Sequence, residues 1–76
     1  MRRLVSAQTI VKELGISYQA LNSYTDLGLI DVVSRKNRIR MYDYDEVKKK
    51  LAKIFRWMDE GYTLRLIRKM LKADKR

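Results

Sequence analysis

The sequence has 76 residues, with 18 Lys and Arg against 9 Asp and Glu and a formal charge of +9. So short a chain is expected to build one domain over residues 1–76, and it has no histidine and no cysteine, which removes disulfide scaffolds, thiolate or imidazole metal sites and the commonest general base. The cation excess attracts polyanions, no apolar run approaches the ~20 residues that span a bilayer, and Ser6, Gln8 and Lys12 break up any signal-peptide core behind the basic start.

Residues 1–5 form a basic, β-prone arm that either adds a strand to a neighbouring hairpin or frays. Ser6 is placed to cap a helix over residues 7–14, in which Ala7, Ile10, Val11 and Leu14 recur at helical spacing. Gly15 stands where a left-handed residue ends a helix. Ser17 then caps a second helix over residues 18–27, closed by Gly28. Two short helices joined by a tight turn at residues 14–17 make a helix-turn-helix over residues 6–28. In the second helix Ala20, Leu21, Tyr24 and Leu27 share one face. Tyr18, Gln19, Asn22, Thr25 and Asp26 share the other, with Ser23 at the border. That face is polar and carries no charge except Asp26. It suits base edges better than phosphates, since Asn and Gln pair with adenine and hydroxyls adapt to several partners. An ordinary solvated helix face has the same composition.

Residues 29–42 read as a hairpin, with a β-branched strand over residues 29–33 and a turn over residues 34–37. Ile39 and Met41, with the intervening Arg38, Arg40 and Tyr42, alternate as a half-buried strand should. Arg35, Lys36, Arg38 and Arg40 cluster at and beside the tip, with no acid between Asp31 and Asp43. A basic hairpin directly after a helix-turn-helix is a wing suited to phosphate contact, although lysine and arginine also keep an edge hairpin soluble.

Asp43 caps a third helix over residues 44–60, with Glu46 at the capping-box position. Val47, Leu51, Ile54, Phe55 and Met58 make its buried stripe, Trp57 lies at the flank, and Lys48, Lys49, Lys50, Lys53 and Arg56 form a solvated face. The carboxylates Asp43, Asp45 and Glu46 have a sufficient structural reason to cluster, because acids cap a helix start and favour its dipole. Gly61 breaks this helix and Thr63 caps a fourth over residues 64–72. Leu64, Ile67 and Leu71 point one way, while Leu66 and Met70 widen the apolar arc, to be absorbed by the core or to meet a partner. The tail over residues 73–76 is expected to fray.

Taken together, these residues resemble the DNA-binding domain of the MerR family of bacterial transcription regulators, over about residues 4–72. Val5-Ser6 with Ile10, Leu14 and Gly15 looks like the family's opening helix, and Ile16-Ser17, Leu21, Tyr24 and Asp26-Leu27-Gly28-Leu29-Ile30 like its recognition helix and exit. Arg40-Met41-Tyr42 before Asp45-Glu46-Val47, and Asp59-Glu60-Gly61-Tyr62-Thr63-Leu64 with Ile67, look like the later junctions. The resemblance implies a mainly α winged helix-turn-helix, four helices with a small β-hairpin wing. It places the second helix in the major groove and the wing on the flanking backbone. Carried over by position, Tyr18, Gln19 and Asn22 are the candidate base contacts. Ser17, Ser23, Tyr24, Arg35, Lys36, Arg38 and Arg40 are the candidate backbone contacts, with Arg40 matching the family's wing arginine.

The chain also departs from the family pattern. Arg is common in the family where Gln19 and Asn22 stand here, Tyr where Ser23 stands, and the usual Gly-Tyr-Arg of the wing is Arg38-Ile39-Arg40. The reading helix is therefore less cationic than usual, and the sequence stops where the family's long dimerisation helix would begin. With that helix and the effector domain absent, inducer binding, metal sensing and promoter-twisting activation are not carried over.

The expectation is a cytoplasmic, bacterial, non-enzymatic regulator that binds double-stranded DNA sequence-specifically and can form a homo-oligomer on it. No catalytic residue, metal, cofactor, membrane or small-molecule effector site is expected. An excisionase-like or architectural DNA-binding accessory protein is the nearest alternative, and a protein-interaction adaptor working through Leu66 and Met70 the more distant one.

Overall fold

A computed structural model describes residues 3–74. The elements run β1 (Leu4–Ser6), α1 (Ala7–Leu14), α2 (Tyr18–Asp26), β2 (Ser34–Lys36), β3 (Ile39–Asp43), α3 (Tyr44–Asp59) and α4 (Leu64–Asp74). Four helices thus surround a small antiparallel sheet of order β1-β3-β2, a winged helix-turn-helix. The basic arm adds a strand to the hairpin, with Val5 opposite Tyr42; its first two residues lie outside the described ones. At the other end α4 includes residues 73 and 74, where fraying was expected, and residues 75–76 lie outside the described ones.

Local chemistry starts and stops the helices as the sequence suggests. Ser6, Ser17, Asp43 and Thr63 each accept from the amide three residues on, at 3.3, 3.0, 3.1 and 3.2 Å. Gly15 takes the left-handed conformation, φ 69°, and its amide closes on Val11. This is the tight turn between α1 and α2.

The strand expected over residues 29–33 is not formed. Gly28, at φ 81°, ends α2 with its amide on Thr25, and the Leu29 amide returns to the Tyr24 carbonyl at 2.9 Å. The Ile30 amide reaches the same carbonyl at 3.3 Å. This helix ending uses the amides a ladder would need and turns Leu29 and Ile30 into the core, each 1% exposed. Apolar, β-branched composition at residues 29–33 therefore reports burial here, not strand pairing.

The first wing strand begins later, at Ser34, and the turn is the two-residue Asn37-Arg38, with Lys36 opposite Ile39. Both turn residues have positive φ, 51° and 69°, as the hairpin-matched two-residue turn requires. Arg38 is thus a turn residue, not part of the strand. In β3 alternation holds, with Tyr42 fully buried and Ile39 exposed.

The core gathers Ala7, Ile10, Leu21, Tyr24, Tyr42, Val47, Leu51, Ile54, Ile67 and Leu71 around Leu29 and Ile30. Each fully buried aliphatic side chain stabilises the fold by about 1.5–3 kcal/mol. The expected α3 stripe is narrower than its pattern: Phe55 and Met58 are 45% and 42% exposed. Leu27, expected on the inner face of α2, is also exposed. Lys50, expected on a solvated face, lies largely under cover, its ammonium 2.8 Å from Glu46 and 3.1 Å from Asp31. It ties the start of the wing segment to α3.

Candidate nucleic-acid interface

β3 and α2 are joined at two points. Arg40 donates through Nη2 to Oδ1 of Asn22, and the Tyr42 hydroxyl lies 3.0 Å from Oγ1 of Thr25. The direction of the second bond follows from valence: Thr25 has one hydroxyl hydrogen and gives it to the Leu21 carbonyl at 2.7 Å, so Tyr42 donates and Thr25 accepts. The spacing is that of two regular elements in contact. Residues two apart on a strand share a face and residues three apart on a helix are neighbours. Arg40 and Tyr42 therefore meet Asn22 and Thr25, and the wing cannot swing relative to α2 without breaking both bonds.

The polar face of α2 is consequently divided. Asn22 and Thr25 turn toward β3. Tyr18, 51% exposed, overhangs the Arg40 guanidinium at 5.9 Å, and the Tyr42 ring lies 5.7 Å from it, both within cation–π range. Gln19 and Ser23 remain exposed. Ser17 is exposed, with its hydroxyl capping α2. Tyr24 goes to the core: it is 8% exposed and packs edge-on against Phe55, ring centroids 6.4 Å apart. A backbone-contacting tyrosine at this position has little surface left, because its helical phase points it inward.

Arg35, Lys36 and Arg38 are exposed on β2 and the turn, and among the described residues none of them has an acidic partner. Arg35 stands directly opposite Arg40 in the ladder, so the two guanidinium groups leave the same face of the sheet, the face that meets α2. Like charges in that position oppose pairing, and Arg40 answers by turning onto the Asn22 amide. Leu66 is 42% exposed and Met70 half-buried, so the core leaves part of the wide α4 arc uncovered. Sequence reasoning missed the pairing of Arg40 with Asn22. The signal was present in the two-residue turn, which sets which strand residues face α2.

A profile of the MerR HTH family of regulatory proteins matches residues 5–74. The chain belongs to the MerR HTH family. It is a DNA-binding regulatory domain of that family, which is regulatory and not enzymatic. In this MerR-family fold the helix-turn-helix is α1 and α2, and the wing is β2 and β3. Comparison with curated proteins and with solved structures returned no match. No helix among the described residues is long and apolar enough to cross a membrane.

Proposed function

We propose that the protein reads a specific duplex DNA sequence, with α2 in the major groove and the wing on the adjacent backbone. Residues 1–76 act as one DNA-binding domain in this reading. One observation carries it: the polar face of α2 and the acid-free cations of β2 and the turn are joined through Arg40 into one continuous surface. Tyr18, Gln19 and Asn22 offer stacking and amide groups to base edges. Arg35, Lys36 and Arg38, with no acidic partner among the described residues, gain most from phosphate oxygens. The division of labour fits a reading helix that carries few charges of its own.

The test is fluorescence anisotropy on a short duplex across a salt series. With about five phosphates neutralised, log affinity falls against log salt with a slope of about −4 to −5; a flat response overturns the reading. Selection of bound sequences from a random duplex pool then separates modes of assembly. A palindrome requires a symmetric pair of chains, and direct repeats with stepwise cooperative binding require an ordered, accessory-protein-like array. Recovery of no motif leaves binding through phosphates only and removes the sequence-specific part.

A further inference from the structure

We infer that Arg40 is the specificity-determining positioning residue of this surface: it orients the Asn22 side-chain amide, so that Asn22 offers donors to the DNA. The inference rests on the duplex-binding reading above and goes beyond it in naming the edge that is read.

Arg40 differs from its neighbours on the wing. Arg35, Lys36 and Arg38 are exposed, whereas Arg40 is half-buried between the Tyr18 and Tyr42 rings and bonded to Asn22. A guanidinium carries donors only, so it can face only the oxygen end of an amide. That fixes the flip of Asn22. Oδ1 is turned to the protein, and Nδ2, with its two hydrogens, is left as the end available to a ligand. The second bolt, Tyr42 to Thr25, holds β3 against α2 one turn further along, so Arg40 is carried on a strand that does not drift from the helix it orients.

The consequence is chemical. An asparagine with both amide ends free matches adenine, accepting from N6 and donating to N7. With Oδ1 held by Arg40, that two-bond match is weakened and the donor end dominates. Asn22 then favours a major-groove acceptor, the N7 or O6 of guanine or the O4 of thymine, and disfavours cytosine, which presents a donor there. Arg40 thereby acts on base choice through Asn22 without touching a base.

The experiment compares wild type, Arg40→Lys, Asn22→Ala and the double variant. The probes are duplexes carrying the selected motif and its three variants at the base pair that responds to Asn22→Ala, at two salt concentrations. Lysine keeps the charge but not the planar fork. The expected result is a salt slope close to wild type for Arg40→Lys, together with loss of a preference of about tenfold at that one base pair. Asn22→Ala should lose the same preference, and the double variant should lose no more. A preference retained by Arg40→Lys overturns the inference and leaves the duplex-binding reading standing. Failure of wild type to bind any duplex at low salt overturns both. A measurement without DNA covers the case in which Arg40→Lys does not fold. The nitrogen-15 NMR signal of the Arg40 guanidinium should be restricted in wild type and averaged in Asn22→Ala; an unchanged signal overturns the inference.

Discussion

Tyr42, on the central strand of the sheet, donates its phenolic hydrogen to Thr25 on α2 at 3.0 Å. The phenol is attached to a fully buried ring, so the bond lies where water competes poorly. Thr25 in turn donates to Leu21 one turn back. The wing and α2 thus share a short relay that starts in the core and ends on the helix backbone.

Tyr42→Phe deletes one hydrogen bond and leaves the ring packing in place. It should cost about 1 kcal/mol, a fall in midpoint of roughly 4–8 °C for a domain of this size. Thr25→Val should cost at least as much, and the double variant little more than Thr25→Val alone. Thermal unfolding of the four proteins checks this; additive losses would show that the two hydroxyls act separately.

Arg38 sits at φ 69° in the wing turn, a conformation that a non-glycine residue adopts at a cost of about 1 kcal/mol or more. Arg38→Gly should therefore stabilise the fold by about 1 kcal/mol, because Asn-Gly is the preferred pair for this turn. The same change should weaken DNA binding similarly on all sequences and reduce the salt slope by about 1. Denaturant unfolding and anisotropy on the one variant measure both signs, and a variant both more stable and equally tight would remove Arg38 from the interface.

In the proposed reading, Gln19 meets a base and Arg35 the backbone. Gln19→Ala should relax preference at one base pair by about 1–3 kcal/mol. Arg35→Ala should weaken matched and random duplexes alike, and it also relieves the like-charge pair with Arg40, so its effect on stability should be neutral or favourable. Parallel affinity measurements on selected and random duplexes decide, and equal losses on both duplexes for Gln19→Ala would take that residue off the base edges.

Lys50 should make part of the stability pH-dependent in alkali. Burial disfavours its charged form, but hydrogen bonds to Glu46 and Asp31 and the charges of both carboxylates outweigh that, so its pKa lies above the ordinary 10.5. A pKa raised on folding contributes stability that is whole below 10.5 and is lost as pH rises through the folded value. Lys50→Met should destabilise by about 1 kcal/mol near neutrality. The gap from wild type should hold constant to about pH 10 and close above it. A gap that closes in acid but not in alkali would contradict this assignment.

The helix ends were legible because they are local. Ser6, Gly15, Ser17, Asp43, Gly61 and Thr63 act on amides and carbonyls a few residues away, and each lies where its spacing implies. Leu29 and Ile30 were not legible as core, since the same two residues suit a strand or a helix exit. The Gly28 turn decides between them by spending their amides on Tyr24. Phe55 and Met58 match the apolar period of α3, yet the elements around α3 cover only the arc holding Val47, Leu51 and Ile54.

By itself the sequence determined the charge that calls for a polyanion, the order of the helices and their caps, and the clustering of cations on the wing. These depend on composition and on contacts within one turn of chain. Only the tertiary structure decided which way β3 faces and what Arg40 touches. Its partner Asn22 is 18 residues away, and a two-residue turn, not a longer one, sets the strand parity that brings them together. A shift of one residue there would exchange Arg40 and Tyr42 for Ile39 and Met41 against α2, leaving Asn22 without the donor it is bonded to.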